Sequence, residues 1–145
     1  MTRDLDLVIE ISEGDIDALI EAFGADCYLD ADMVREAIRN ESMFNFIFTA
    51  MTVKIDFVVR KSTMYRLCEF KRRRCIHHEG FDFYVVSPED LLLSKIYWAR
   101  DSLSEMQLKD VKGIMQHLWE LDYDYMQTWA AELGIENLYR ELTHE

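Results

Sequence analysis

The sequence predicts an α+β fold: a small mixed sheet with helices from the first part of the chain, then a helical C-terminal portion. Two observations carry this expectation. The runs Asp4-Leu5-Asp6-Leu7-Val8-Ile9 and Lys54-Ile55-Asp56-Phe57-Val58-Val59 alternate with a period of two, as half-buried strands do. From Ser87-Pro88-Glu89-Asp90 onward, apolar residues recur at helical spacing.

Each element follows in order. Residues 3–12 read as a strand with Leu5, Leu7, Ile9 and Ile11 on one face and Asp4 and Asp6 on the other. Residues 13–23 read as an amphipathic helix through Ile16, Leu19, Ile20 and Phe23, with Gly24 placed to stop it. A second helix is expected over 31–41, with Met33, Ala37 and Ile38 inward. Phe44 to Phe48 reads as a strand, 49–52 as a turn, and the stretch around Asp56 as the next strand, with Val53, Ile55, Phe57 and Val59 sharing a face. Ser62-Thr63 opens a helix over 62–71. Arg74 to His78 and Phe81 to Val86 flank Glu79-Gly80 as a hairpin. Ser87 caps a helix over 88–101, Pro88 fits its first turn, and Glu89 and Asp90 meet its positive end. Further helices are expected over 104–119, 122–133 and 135–143. The expected organisation is one domain over 1–145, mostly sheet with helices over 1–86 and helical over 87–145.

Composition bounds the function. Half of the 145 residues are hydrophobic, enough for a core. No apolar run approaches the roughly 20 residues that span a bilayer, so no membrane partner is expected. Thr2-Arg3-Asp4 enters charge at once, without the apolar segment of a secretory signal, and the three cysteines lack framework spacing. A cytoplasmic protein with reduced thiols is the expectation. The net charge of −12 argues against general nucleic-acid coating. It is uneven: between Lys54 and Arg74 eight basic residues face two acids, so that segment is +6 and the remainder −18. Such a segment suits a polyanion, or simply a solvated helix end; an RNA surface at Arg72-Arg73-Arg74 ranks last among the readings.

The chemistry-bearing pattern is acidic. If the two strands pair with polar faces aligned, Asp4, Asp6 and Asp56 converge. Three carboxylates are unfavourable together unless protonated or neutralised by a cation. Mg²⁺ or Mn²⁺ prefers oxygen ligands of this kind, and such clusters serve phosphoryl-type displacement. The bland alternative is a pair of strands with solvated acids, since 28 acidic residues generate chance repeats. Lys95, inside Leu91-Leu92-Leu93-Ser94-Lys95-Ile96, either snorkels to water or reaches an anion, and Asp110 could orient it. Cys68, Cys75, His77 and His78 match no compact zinc pattern. No nucleophile elbow or Gly-rich phosphate loop is present in the sequence.

Together Thr2-Arg3-Asp4-Leu5-Asp6-Leu7-Val8, Lys54-Ile55-Asp56-Phe57, Ser87-Pro88-Glu89-Asp90-Leu91-Leu92-Leu93-Ser94-Lys95 and Lys109-Asp110-Val111 resemble the DNA polymerase beta-type nucleotidyltransferase superfamily. The resemblance is to its small prokaryotic branch, related to abortive-infection and toxin–antitoxin nucleotidyltransferases, and runs to about residue 115. It implies a nucleotidyltransferase-like fold with Asp4, Asp6 and Asp56 as catalytic, metal-binding residues. It makes Lys95 a contact to nucleotide phosphate, supported by Asp110. The implied reaction is attack of an acceptor hydroxyl, on protein, RNA or a small molecule, at the α-phosphate of a nucleoside triphosphate with Mg²⁺ or Mn²⁺ bound.

The superfamily places a Gly-Gly or Gly-Ser turn before the Asp-x-Asp strand, whereas here Asp4 is preceded by three residues. The expectation is therefore either a start assigned too far downstream or an N-terminally shortened member, active or inactive. Its alternative is a degenerate, non-catalytic binding or antitoxin module. A first strand lacking its usual neighbour would leave a sheet edge open to a partner protein or a second copy.

Overall fold

The computed structural model describes residues 4–24, 27, 29–48, 53–102, 105–117 and 120–143. The chain forms two compact units, Met1–Leu67 and Cys68–Glu145. Both belong to a mixed α+β fold. No helix among the described residues is long and apolar enough to cross a membrane.

The first unit contains β1 (Asp4–Ile9), a 3-10 turn (Glu13–Asp15), α1 (Ile16–Phe23), α2 (Ala31–Arg39), β2 (Met43–Phe48) and β3 (Val53–Val59). The strands form one sheet in the order β1-β3-β2, parallel between β1 and β3 and antiparallel between β2 and β3. Among the described residues, β1 and β2 are therefore the edge strands. Alternation explains the sheet's two faces. Phe44, Phe46, Phe57 and Val59 are buried on one face with Ile16, Leu29, Val34 and Ala37. Phe57 stacks on Phe44 with ring centroids 5.2 Å apart, and Phe46 and Phe23 flank it at 5.4 and 5.8 Å. The opposite face carries three rungs: Asp4, Lys54 and Ile47; Asp6, Asp56 and Asn45; Val8, Val58 and Met43.

Helix ends are set by local polar groups. Ser12 donates its backbone N–H and hydroxyl to Asp15 Oδ2 at 2.9 and 2.6 Å. That clasp tightens the expected helix over 13–23 into a 3-10 first turn. Gly24 ends α1 by close approach: a Cβ there would stand 2.5 Å from the Ile20 carbonyl oxygen. Asp30 caps α2 by accepting from Asp32 N at 2.8 Å. The expected turn over 49–52 lies outside the described residues.

Helix α3 (Met64–Arg72) carries the boundary between the units. Beyond it come β4 (Arg74–His78), β5 (Phe81–Val85), α4 (Pro88–Ser102), α5 (Glu105–His117), α6 (Tyr123–Glu132) and α7 (Glu136–Thr143). Strands β4 and β5 pair antiparallel as a separate hairpin, with Ile76 opposite Phe83 and His77 opposite Asp82. Its turn, Glu79-Gly80, has φ of 51° and 84°, the two positive values that a tight two-residue hairpin needs. In the helical part Leu92, Leu93, Ile96, Ala99, Val111, Met126 and Ala130 are fully buried. Ser87 Oγ accepts from Asp90 N at 3.1 Å, so the start of α4 is capped as the Ser-Pro signal implies.

Candidate functional site

The parallel ladder between β1 and β3 brings the carboxylates of Asp6 and Asp56 onto one face. Asp6 is the register partner of Asp56, and Asp4 is the partner of Lys54, one rung away. Asn45 on β2 completes the Asp6–Asp56 rung. Because the opposite face is locked in the phenylalanine core, backbone geometry fixes where the side chains of Asp6, Asn45 and Asp56 leave the sheet. Asp6 is exposed, whereas Asp56 is only 7% exposed. The side chain of Asp4 lies outside the described residues.

Asp56 has an unequal environment. Lys54, two residues earlier and hence on the same face, donates from Nζ to Asp56 Oδ2 at 2.7 Å. Asp56 Oδ1 is buried and has no hydrogen-bond partner. A buried acceptor without a donor is costly, and it marks a place where a partner is due. Spacing alone offers Lys54 as a signal, since the Lys-x-Asp pair shares a strand face; the acidic pattern draws the eye past it.

These residues fit a divalent cation in their donor chemistry: carboxylate oxygens on a rigid sheet, one of them lacking a partner. Among the described residues, no three His, Cys, Asp or Glu side chains form a metal-holding group. With Asp4 known only by its register position, the described donor set is Asp6 and Asp56.

The second unit contains the other two expected site residues. Lys95 on α4 donates from Nζ to Asp110 Oδ2 on α5 at 3.1 Å. The pair meets across two helices packed in the same unit, with Lys95 half-buried and Asp110 exposed.

A larger polar cluster lies at the start of α4, where the acids expected in the first turn, facing the helix dipole, are also buried. Glu89 is 2% exposed and Asp90 is 0% exposed. Arg72 donates from Nε to Asp90 Oδ2 at 3.3 Å and from a terminal nitrogen to Glu89 Oε2 at 3.4 Å. Tyr125 donates to Asp90 Oδ1 at 2.7 Å, and Ser87 donates to Asp90 Oδ2 at 2.6 Å. The Arg72 guanidinium also lies over the Tyr125 ring, 3.8 Å from its centroid. Burial, then the bond to Asp90, drives the Tyr125 hydroxyl well above its usual range, so it stays a donor. Burial would raise Glu89, but its own backbone N–H, Asp122 N, Ser87 and Arg74 outweigh that and hold it below the ordinary value.

This cluster changes the meaning of the arginine run. Arg72 and Arg74 both face Glu89, Arg74 at 3.5 Å, and Arg73 lies over the Phe70 and Tyr84 rings at 4.3 and 4.7 Å. The run is tied down by its neighbours within the unit. On the hairpin, His77 Nδ1 meets Asp82 Oδ1 at 2.7 Å. His78 falls on the other face and lies 3.8 Å from Glu79.

A pocket of about 340 Å³ opens at the C-terminal ends of β1 and β3, lined by Glu10, Ser12, Asp15, Glu41, Arg60 and Ser62 among others. Arg60 and Glu10 pair there at 3.0 Å. None of Asp4, Asp6 and Asp56 lines it. No family model matches the chain, and no curated protein matches it in sequence.

Proposed function

We propose that the chain is a nucleotidyltransferase-like protein that binds Mg²⁺ or Mn²⁺ through Asp4, Asp6 and Asp56. On this reading it transfers a nucleotide from a nucleoside triphosphate to a hydroxyl acceptor on a protein, an RNA or a small molecule. One observation carries it: Asp6 and Asp56 face each other in register, and Asp56 Oδ1 is buried without a partner. A solvated pair of strand acids would not strand an oxygen in this way.

The residues divide the work by position. Asp56, desolvated and held by Lys54, has its orientation fixed before any ligand arrives. Asp6, exposed on the neighbouring strand, is accessible from solvent. When bound, a divalent cation supplies charge neutralisation at the triphosphate and acidifies the acceptor hydroxyl. Lys95 is assigned to nucleotide phosphate and Asp110 to its support; their 3.1 Å bond favours that pairing of roles.

A second reading has its own observation. The 2.7 Å bond from Lys54 to Asp56 already gives that carboxylate a positive partner, as expected of a degenerate binding or antitoxin module. Mn²⁺ binding followed by electron paramagnetic resonance tests the site. The wild-type chain should bind Mn²⁺, and Asp56→Asn should weaken binding by more than about tenfold. Equal binding by the two proteins overturns the carboxylate site. Binding without transfer of a labelled nucleotide selects the second reading.

A further inference from the structure

Lys54 has no assigned part in the reaction proposed above, yet it makes the shortest contact to its most buried carboxylate. Its Nζ stands 2.7 Å from Asp56 Oδ2. The lysine is 42% exposed while the Asp56 side chain is 10% exposed, so the ammonium approaches the carboxylate from the open side of the sheet. We propose that the Lys54 ammonium stands in for the second cation of a two-cation carboxylate site, so that the first unit takes a single divalent ion per chain. This rests on the carboxylate site proposed above.

The argument is one of oxygen accounting. In two-cation sites, ions roughly 3.5–4 Å apart share the charge of common carboxylates. Asp56 has two oxygens. Oδ2 is held by an ammonium at charge-assisted hydrogen-bond distance. Oδ1 alone is left without a partner. A second divalent ion on Oδ2 would have to displace a positive charge tethered two residues away on the same strand face. It would also bind against the repulsion of that charge nearby. Asp56 therefore has a place for one ion, at Oδ1, with Asp6 the register partner beside it. Lysine suits this role: it is a compact point charge on a flexible stem and presents donors only.

The test counts bound ions and needs no activity. Mn²⁺ titration read by electron paramagnetic resonance should give one ion per wild-type chain. Lys54→Met keeps an unbranched stem and removes the charge; it should admit a second Mn²⁺ or tighten the first by on the order of tenfold. Lys54→Arg keeps the charge and should retain a single ion. Thermal melts by circular dichroism establish that each variant is folded. Two ions on the wild-type chain overturn the proposal even if Lys54→Met does not fold. So does a folded Lys54→Met with unchanged stoichiometry and affinity. Absence of Mn²⁺ binding from the wild type and every variant is a separate result: it removes the carboxylate site itself, and this inference with it.

Discussion

Arg72 shows how much one side chain can be asked to hold. It supplies positive charge to two carboxylates that have almost no contact with water, and its guanidinium lies flat on the Tyr125 ring. Burial alone would weaken its proton affinity. The carboxylates of Asp90 and Glu89 outweigh that and raise it, so Arg72 remains charged. Removing one partner of a buried ion pair leaves the other charge uncompensated, a loss larger than the net contribution of the pair. Arg72→Met should therefore cost about 3 kcal/mol, read as a lower denaturant midpoint with an unchanged slope. A cost below about 0.5 kcal/mol, the size of a surface substitution, would mean that Asp90 is satisfied without Arg72. Asp56 differs: Lys54 holds one of its oxygens, and the other is buried without a hydrogen-bond partner. That contrast separates a carboxylate whose oxygens are matched by its neighbours from one with an oxygen left over.

At the level of elements, the hairpin β4–β5 depends on its turn more than on its faces. Every residue of the two strands is exposed except Val85, so packing contributes little. A two-stranded ribbon with little packing is marginal in water. Glu79 holds φ of 51°, a left-handed conformation that Asn or Gly adopts more readily. Glu79→Asn should stabilise the hairpin by roughly 0.5–1 kcal/mol, seen as slower amide exchange across the Ile76–Phe83 rung. Unchanged exchange would show that something other than the turn limits opening. The turn itself is legible in the sequence, as are the strands and the Ser87-Pro88 start of α4, because each rests on local spacing. What is not legible depends on distant partners. Nothing in the two alternating runs tells that β1 and β3 lie parallel, or that Asp6 rather than Asp4 meets Asp56. Glu89 and Asp90 read only as first-turn acids facing the helix dipole, because their partner Arg72 is on another element. The candidate site is thus half legible: its residue types follow from alternation, and its register and the Lys54 contact follow from the fold.

For the whole molecule, the uneven charge of the sequence resolves into cross-links. Basic residues of the +6 segment are matched by acids outside it: Arg60 by Glu10, and Arg72 and Arg74 by Glu89. Several carboxylates across both units are held below their ordinary values: Glu13 by Arg39, Asp15 by Ser12, Glu41 by Ser62, and Glu89 as described above. A native carboxylate that resists protonation binds fewer protons than its unfolded counterpart, so acidification favours unfolding. The stabilisation is complete above the ordinary values of 3.8 for Asp15 and 4.5 for the glutamates, and is lost as pH falls through the lower native values. Denaturant midpoints should therefore decline as pH is lowered below about 4.5. Trp98, Trp119 and Trp129 all fall within Cys68–Glu145, so fluorescence follows the second unit while far-ultraviolet circular dichroism follows both. Glu89→Gln cannot titrate at this position. It should lower the fluorescence midpoint near neutral pH, by leaving Arg72 and Arg74 one charge short, and should flatten its decline in acid. If the variant and the wild type lose stability in parallel from pH 6 to pH 3, Glu89 is not a source of the acid sensitivity, and the second unit must owe it to other carboxylates.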